Sequence, residues 1–289
     1  MRIEVKDLSY AYGETKALKT YALNGVSLTV NEGEFFGIIG QTGSGKTTFV
    51  QHLNGLIKLE KNCGSIKIGD YDLADKKCDF KGLRSKLGMI FQYPEYQLFA
   101  ETVYEDVSFG IKNFMPSLPE NEVEQMVKDA LEMVGLNYEI IKDKSPFELS
   151  GGQKRRVAIA GIIALKPEIL VLDEPVAGLD PQGKKEFIKL LHTLHKTFVK
   201  TIILVSHDMD LVSENCSRCA IFSKGKILSV GSPKEIFSNE ENLTALGLEL
   251  PTIAYLTKEL EKKGIFADND FTIDNFVEKI VQKFKGDIG

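Results

Sequence analysis

Two kinds of apolar pattern divide the chain. "RIEVKDLSYAY" and "YALNGVSLTV" alternate apolar and polar residues, which predicts half-buried strands. "EFFGIIG", "EILVLDE" and "TIILVSHD" are short continuous apolar runs, the pattern of strands covered on both faces of a parallel sheet. Between these runs the period changes. A helix is predicted from Lys46 to about Gly55, and "ENEVEQMVKDALEMVGL" repeats its apolar residues at helical spacing, with Gly135 near its end. "PQGKKEFIKLLHTLHKTF" starts a helix with Pro181 at a favourable first position. "GSIKIGDYDL" and "CAIFSKGKILSVG" read as hairpins, the second turning at Lys224 and Gly225. "GSPKEIF" opens a helix with Ser232 as cap and Pro233 first.

Strands alternating with helices predict an α/β fold around a parallel core sheet. The alternating strands add an antiparallel β part. Residues from about 93 to 165 read as a helical insertion, and residues 233–289 as a small separate C-terminal unit.

Composition narrows the class. With 289 residues, 43% hydrophobic and 27% charged, the chain can build a full core with an appendix. A net charge of -5 argues against a protein that coats nucleic acid. "MRIEVKDLSY" reaches charges at once, unlike a signal peptide. The apolar stretches fall short of the ~20 residues a bilayer span needs. The expectation is a soluble, cytoplasmic chain able to dock on a membrane protein. Cys216 and Cys219 form a C-x-x-C, but Cys63 and Cys78 lie too far away to complete a zinc set. The pair is expected to be two small apolar residues where a helix gives way to a strand.

Chemistry enters at "GQTGSGKTT", residues 40–48. Gly40, Gln41, Thr42, Gly43, Ser44, Gly45, Lys46 and Thr47 match a phosphate loop, with Thr48 following. Its glycines let backbone N–H groups face phosphates, Lys46 reaches the β and γ oxygens, and the Thr47 hydroxyl suits Mg²⁺. A buried strand before it and a helix after it are the context this motif requires. "ILVLDEP" ends a second strand with Asp173, placed to hold the Mg²⁺ shell, followed by Glu174, placed to polarise an attacking water. "LVSHD" ends a third strand and predicts His207 at the same sheet edge. His52, His192 and His195 read as ordinary helix residues. In "FELSGGQKRR", Ser150 can cap a helix whose first amides, at Gly151 and Gly152, are bare, which makes a second anion site.

"LSGGQKRR" resembles the signature motif of ATP-binding cassette (ABC) ATPases. The remaining motifs of that family occur in family order over roughly residues 1–232. By that resemblance, Tyr12 stacks on adenine, Gln92 is the Q-loop glutamine and an Mg²⁺ contact, Asp180 ends the D-loop, and His207 is the switch histidine. The cofactors implied are ATP and Mg²⁺. The family's ATPase domains pair head to tail, so Ser150, Gly151, Gly152 and Gln153 would serve ATP held by the partner.

"FQYPEYQLFAETVYEDVSFG" is similar to the Q-loop region of the ATPases in energy-coupling factor transporters, and "ETKALKTY" is more similar to the second of their two ATPase subunits. Val176 departs from the family's usual Ser or Thr. The partners implied are a second ATPase subunit (a heterodimer favoured), a transmembrane scaffold and, through it, a membrane substrate-binding subunit. The location implied is the cytoplasmic face of the membrane. Tyr96, Leu98 and Phe99 are expected to form the surface that couples to the scaffold. The C-terminal unit is expected to help pair the ATPases. The alternative is a non-transport ABC-type ATPase acting on nucleic acid. That class usually carries a long coiled-coil insertion, and the compact interval here has no sustained heptads.

Overall fold

The computed structural model describes residues 1–13, 20–238, 240–263, 276–278 and 281. The stretch "ETKALKTY" lies mostly outside the described residues, as does much of the C-terminal tail. The chain opens with β1 (Ile3–Tyr12) and β2 (Thr20–Val30), then β3 (Phe35–Gly40) and α1 (Lys46–Leu53). It continues through β4 (Ser65–Ile68), β5 (Tyr71–Asp72), α2 (Phe80–Lys86) and β6 (Leu87–Ile90). The helical layer holds α3 (Val103–Phe114), α4 (Glu120–Met133), α5 (Tyr138–Ile141) and α6 (Gly151–Ile163). Then come β7 (Ile169–Asp173), α7 (Pro181–Thr197), β8 (Thr201–Val205) and α8 (Met209–Asn215). The hairpin β9 (Arg218–Ser223) and β10 (Lys226–Gly231) is followed by α9 (Pro233–Phe237), α10 (Glu240–Ala245) and α11 (Thr252–Lys262).

Among the described residues there are two sheets. One is antiparallel, in the order β2-β1-β4-β5. The other runs β10-β9-β3-β8-β7-β6, parallel except for the β9–β10 hairpin. In β1 the alternation slips: Ile3, Val5 and Leu8 are all buried. A register shift between Val5 and Leu8 absorbs the extra residue, with Asp7 in the left-handed region at φ 51.

The parallel strands explain their own composition. Phe36 and Ile38 of β3 face the antiparallel sheet and α1, in one core. Phe35 and Ile39 point the other way, into a core shared with α7, α8 and the helical layer. Both faces are covered, so both parities must be apolar. β6 and the preceding α2 have no counterpart in the pattern reading. The four residues "LGMI" of β6, with a glycine inside, are too short to show a period.

The expected boundary after residue 232 does not coincide with a gap in packing. A capping box between Ser232 and Glu235 starts α9, and Ile236, Phe237, Leu243 and Leu248 join the core that also holds α7 and α8. Ile253 and Phe276, with Leu260 against them, form a small cluster of their own. Thr252 ties α11 to α8 by donating its backbone N–H and its hydroxyl to the Asp210 carboxylate, at 2.6 and 2.7 Å. Gly247 lies against the phosphate loop: a Cβ there would sit 2.2 Å from Gln41 Nε2.

Cys216 ends α8 and Cys219 lies in β9, both buried, and burial raises both thiol pKa values, that of Cys219 to about 12. They are packing residues. A Cβ on Gly37 of β3 would meet Val212 Cγ1 at 2.7 Å, Cys219 Cβ at 3.0 Å and Cys216 Sγ at 3.1 Å. Gly37→Ala should therefore overpack this face and cost about 1–3 kcal/mol in urea unfolding. Unchanged stability would mean that the α8 contact is slack.

Candidate nucleotide site

Parallel pairing places the carboxyl ends of β3, β8, β7 and β6 along one sheet edge. The phosphate loop follows β3, Glu174 follows β7, His207 comes two residues after β8, and Gln92 two residues after β6. Segments separated by well over a hundred residues in sequence thus share one rim.

The loop's shape depends on glycine at two points. Gly40 has φ 151, and a Cβ there would lie 2.3 Å from Phe222 O; Gly45 has φ 104, and a Cβ there would lie 2.3 Å from Ala22 O. Backbone on both sides leaves no room for a larger residue. Gly45 caps α1, whose first residue is Lys46, so the helix's unpaired N–H groups open onto the loop. Lys46 Nζ folds back onto Gly40 O at 2.7 Å and Gln41 O at 3.0 Å. Gln41, Thr42 and Gly43 are exposed along the loop, and the buried Ser44 Oγ has no hydrogen-bond partner.

Burial sets the charges in tension. It lowers the pKa of Lys46, opposed by Glu174 and Asp173, and raises that of Asp173, opposed by the Thr47 hydrogen bond and by Lys46. Asp173 is 5% exposed and its Oδ1 has no hydrogen-bond partner. Such an orphaned carboxylate oxygen beside a threonine hydroxyl suits a hard divalent cation, whose preferred ligands are oxygens. Glu174 sits in the left-handed region at φ 50, its N–H bonded to Val205 O, and its Oε2 lies 2.7 Å from His207 Nδ1. The glutamate is mostly buried and the histidine mostly exposed. Gln92 is exposed on the same rim. Tyr12 is half exposed; its hydroxyl lies 3.2 Å from Thr48 Oγ1 and its ring meets Tyr10 edge-on.

The second anion site stands apart. Ser150 and Gln153 form a capping box, with Gln153 N–H donating to Ser150 Oγ and Ser150 N–H donating to Gln153 Oε1. Gly151 and Gly152 are exposed, with open space where side chains would be. α6 packs on α3, α4 and β6. Three strand positions separate β6 from β3, roughly 14 Å at the ~4.8 Å spacing of paired strands. Asp180 caps α7, accepting from Gly183 N–H at 2.6 Å.

Tyr96 and Phe99 are exposed, at 84% and 60%, but Leu98 is only 7% exposed and packs in the core of the helical layer. The expectation of a surface Leu98 is corrected: the extended residue after the turn Pro94–Gln97 points inward, and its neighbour Phe99 points out. Phe109, which the sequence reading did not single out, meets Phe99 edge-on at 4.9 Å and is itself half exposed. Both border a groove of about 360 Å³ that also touches Arg84, Phe91, Phe114 and Leu165. His52 is buried with Nδ1 at Thr48 O, while His192 and His195 pack on Phe35.

Residues 23–177 match the family model described as ABC transporter. The chain is 46% identical over 287 residues, 99% of each chain, to the energy-coupling factor transporter ATP-binding protein EcfA2 of Caldanaerobacter subterraneus subsp. tengcongensis. It is 44% identical over 285 residues, 98% of each chain, to the protein of the same name from Clostridium tetani. Among solved structures, cbiO1 of Clostridium perfringens, described as part of the ABC transporter complex cbiONQ, superposes with a TM-score of 0.72 at 39% identity, covering 89% of this chain and 98% of that one. A dimeric ATP-binding cassette bound to ADP and phosphate superposes at 0.70 with 29% identity, covering 80% and 98%. With the phosphate loop, the acidic pair and the signature helix in place, the chain belongs to the ABC transporter family of ATPases, in its energy-coupling factor group.

Proposed function

We propose that this ATPase powers uptake of a micronutrient, a vitamin or a transition-metal ion, through an energy-coupling factor transporter. It does so as one member of a head-to-tail ATPase pair seated on a transmembrane scaffold. The observation that carries the chemical part is the Asp173–Glu174 pair beside Lys46: one carboxylate oxygen unpaired, the other carboxylate held by His207. The relatives are transporter subunits, and nothing favours the reading of an ATPase acting on nucleic acid.

In this reading the phosphates lie along the loop from Gly40 to Thr48, against its N–H groups and Lys46. Tyr12 stacks on the adenine. Thr47, Asp173 and Gln92 would hold Mg²⁺, which neutralises charge on the transferred phosphoryl group when bound. Glu174 orients the attacking water, and His207 fixes the Glu174 carboxylate and reaches toward the γ-phosphate. Ser150, Gly151, Gly152 and Gln153 offer their amides to nucleotide held by the partner, and Asp180 sits at the same seam. The γ-phosphate is then met from both sides only in the closed pair, which ties hydrolysis to closure. A heterodimer with a related ATPase is favoured by the similarity to the second subunit of such pairs. The tail after residue 232 contributes to pairing.

Docking belongs to the groove beside Phe99 and Phe109. An apolar floor with Arg84 at its margin fits an apolar, partly polar helix of the scaffold lying at the cytoplasmic surface. The substrate-binding subunit is reached through the scaffold. Among the described residues no helix is long and apolar enough to cross a membrane; in this reading the subunit sits peripherally on the cytoplasmic face, held by the scaffold.

Glu174→Gln should lower kcat in the assembled complex by at least ~10²-fold while ATP binding persists, as for loss of an acid–base group. Near-normal turnover would remove Glu174 from its role. Ser150→Arg should spare ATP binding by the isolated subunit but abolish nucleotide-induced pairing, read by light scattering. Loss of ATP affinity in the isolated subunit would place the signature helix on its own chain's nucleotide. Because Leu98 is core, the docking test uses Phe99→Ser with Phe109→Ser. The subunit should stay folded and bind ATP but fail to co-purify with the scaffold, and normal assembly would exclude the groove.

A further inference from the structure

α6 carries a buried guanidinium for which nucleotide binding has no direct use. Arg155 is 6% exposed. It donates from Nη1 to Ala177 O at 3.0 Å and from Nη2 to Pro175 O. These carbonyls flank Val176, whose side chain packs against the apolar core. One fork therefore holds two alternate carbonyls of the short strap 175–179. The strap starts at Glu174, with its left-handed backbone, and ends at Asp180, the cap of α7.

The same guanidinium faces the turn that follows Gln92. Arg155 Nε and Glu95 Oε2 are both buried without a hydrogen-bond partner, and the two side chains are electrostatic neighbours. Tyr93, also left-handed at φ 55, lies against the strap: its Cε1 would be 3.2 Å from a Cβ on Gly178. Two residues of strained backbone, Tyr93 and Glu174, thus flank the region where the turn meets the strap, and such strain persists only where the surroundings fix it. Arginine suits the position because its planar fork presents two separate nitrogens, in fixed geometry, to the two carbonyls, where a lysine would have to reach both from one nitrogen.

We infer that Arg155 is a positioning residue for hydrolysis: its fork fixes the strap between Glu174 and Asp180, and the packing of its helix on the turn Pro94–Gln97, with Glu95 facing it, couples that strap to the docking face. A shift of the turn at the scaffold is then felt at the water-orienting glutamate and at the pairing seam, through one side chain. The inference rests on the reading of Glu174 given above. A merely structural arginine would lower stability and leave the kinetics of the folded protein unchanged.

The test is steady-state ATPase kinetics of the assembled complex for Arg155→Met, Arg155→Lys and Glu95→Gln, run beside Glu174→Gln, with ATP affinity and melting temperature of each. Arg155→Met should lower kcat at least ~10-fold, within the ~10²-fold that a misplacement of about 1 Å can cost, while KM and ATP affinity stay within about twofold. Arg155→Lys, which keeps the charge but loses the fork, should recover only part of the loss. Glu95→Gln should lower kcat several-fold alone and add nothing in the Arg155→Met background. Wild-type kcat in Arg155→Met, with Glu174→Gln inactive, overturns this inference alone. Active Glu174→Gln overturns the reading beneath it. Additive losses for Glu95 and Arg155 also overturn the junction, as does an Arg155→Met protein that fails to fold while Glu95→Gln keeps full turnover.

Discussion

The parallel pairing of β3, β8 and β7 is the constraint on which the chemistry depends. Phe35 pairs with Ile202, Ile202 with Leu170, and so on up the strands until Asp173 stands opposite Val205. Because the strands run in one direction, the residue after each is delivered to the same rim. Register errors would be costly: a one-residue slip of β7 would carry Asp173 to the opposite face and misfit side chains that are close-packed on both faces. β3, β7 and β8 are buried on both faces, so no solvent-facing position accommodates the slip. Gly37, pressed against Val212 and the two cysteines, shows how closely the α8 face is packed.

On this rim, burial works against the charges of Lys46 and Asp173, and neighbouring groups oppose it. Lys46 rests on loop carbonyls, Asp173 leans on Thr47 and Lys46, and Glu174 on His207. Each arrangement leaves capacity unused. The lysine is a cation held by neutral carbonyls, and one oxygen of Asp173 is unpaired. In the proposed reading, phosphates and a divalent cation would supply what is missing, drawing binding energy from groups that folding alone leaves under-satisfied.

Much of this was legible in the sequence, for physical reasons. The strands β3, β7 and β8 announced themselves because double-sided burial demands unbroken apolar runs, and the phosphate loop because its glycines answer to a backbone need. β6 was not legible: four residues with a glycine inside carry no period. The face of Leu98 was not legible either, since after an irregular turn neither period applies, and only the fold shows that it points inward while Phe99 does not. Arg155 was hidden by its neighbours. Within "KRR" a basic residue reads as solvated helix surface, and its burial depends on carbonyls twenty residues away. The small separate unit expected over 233–289 was not legible as part of the main core, to which apolar residues such as Phe237 and Leu248 return.

The separation of the two anion sites gives the account its functional consequence. One chain presents a phosphate loop after β3 and bare amides at the start of α6, and in the proposed reading a second chain brings such a pair together around one nucleotide. The most direct measurement is photo-cross-linking of a γ-phosphate-labelled ATP analogue in the assembled transporter, with the labelled peptides of this chain identified by mass spectrometry. The account predicts label on residues 150–153 even when Lys46→Ala has emptied this chain's own loop, because the nucleotide is held by the partner. Loss of that label together with the loop's nucleotide would contradict it.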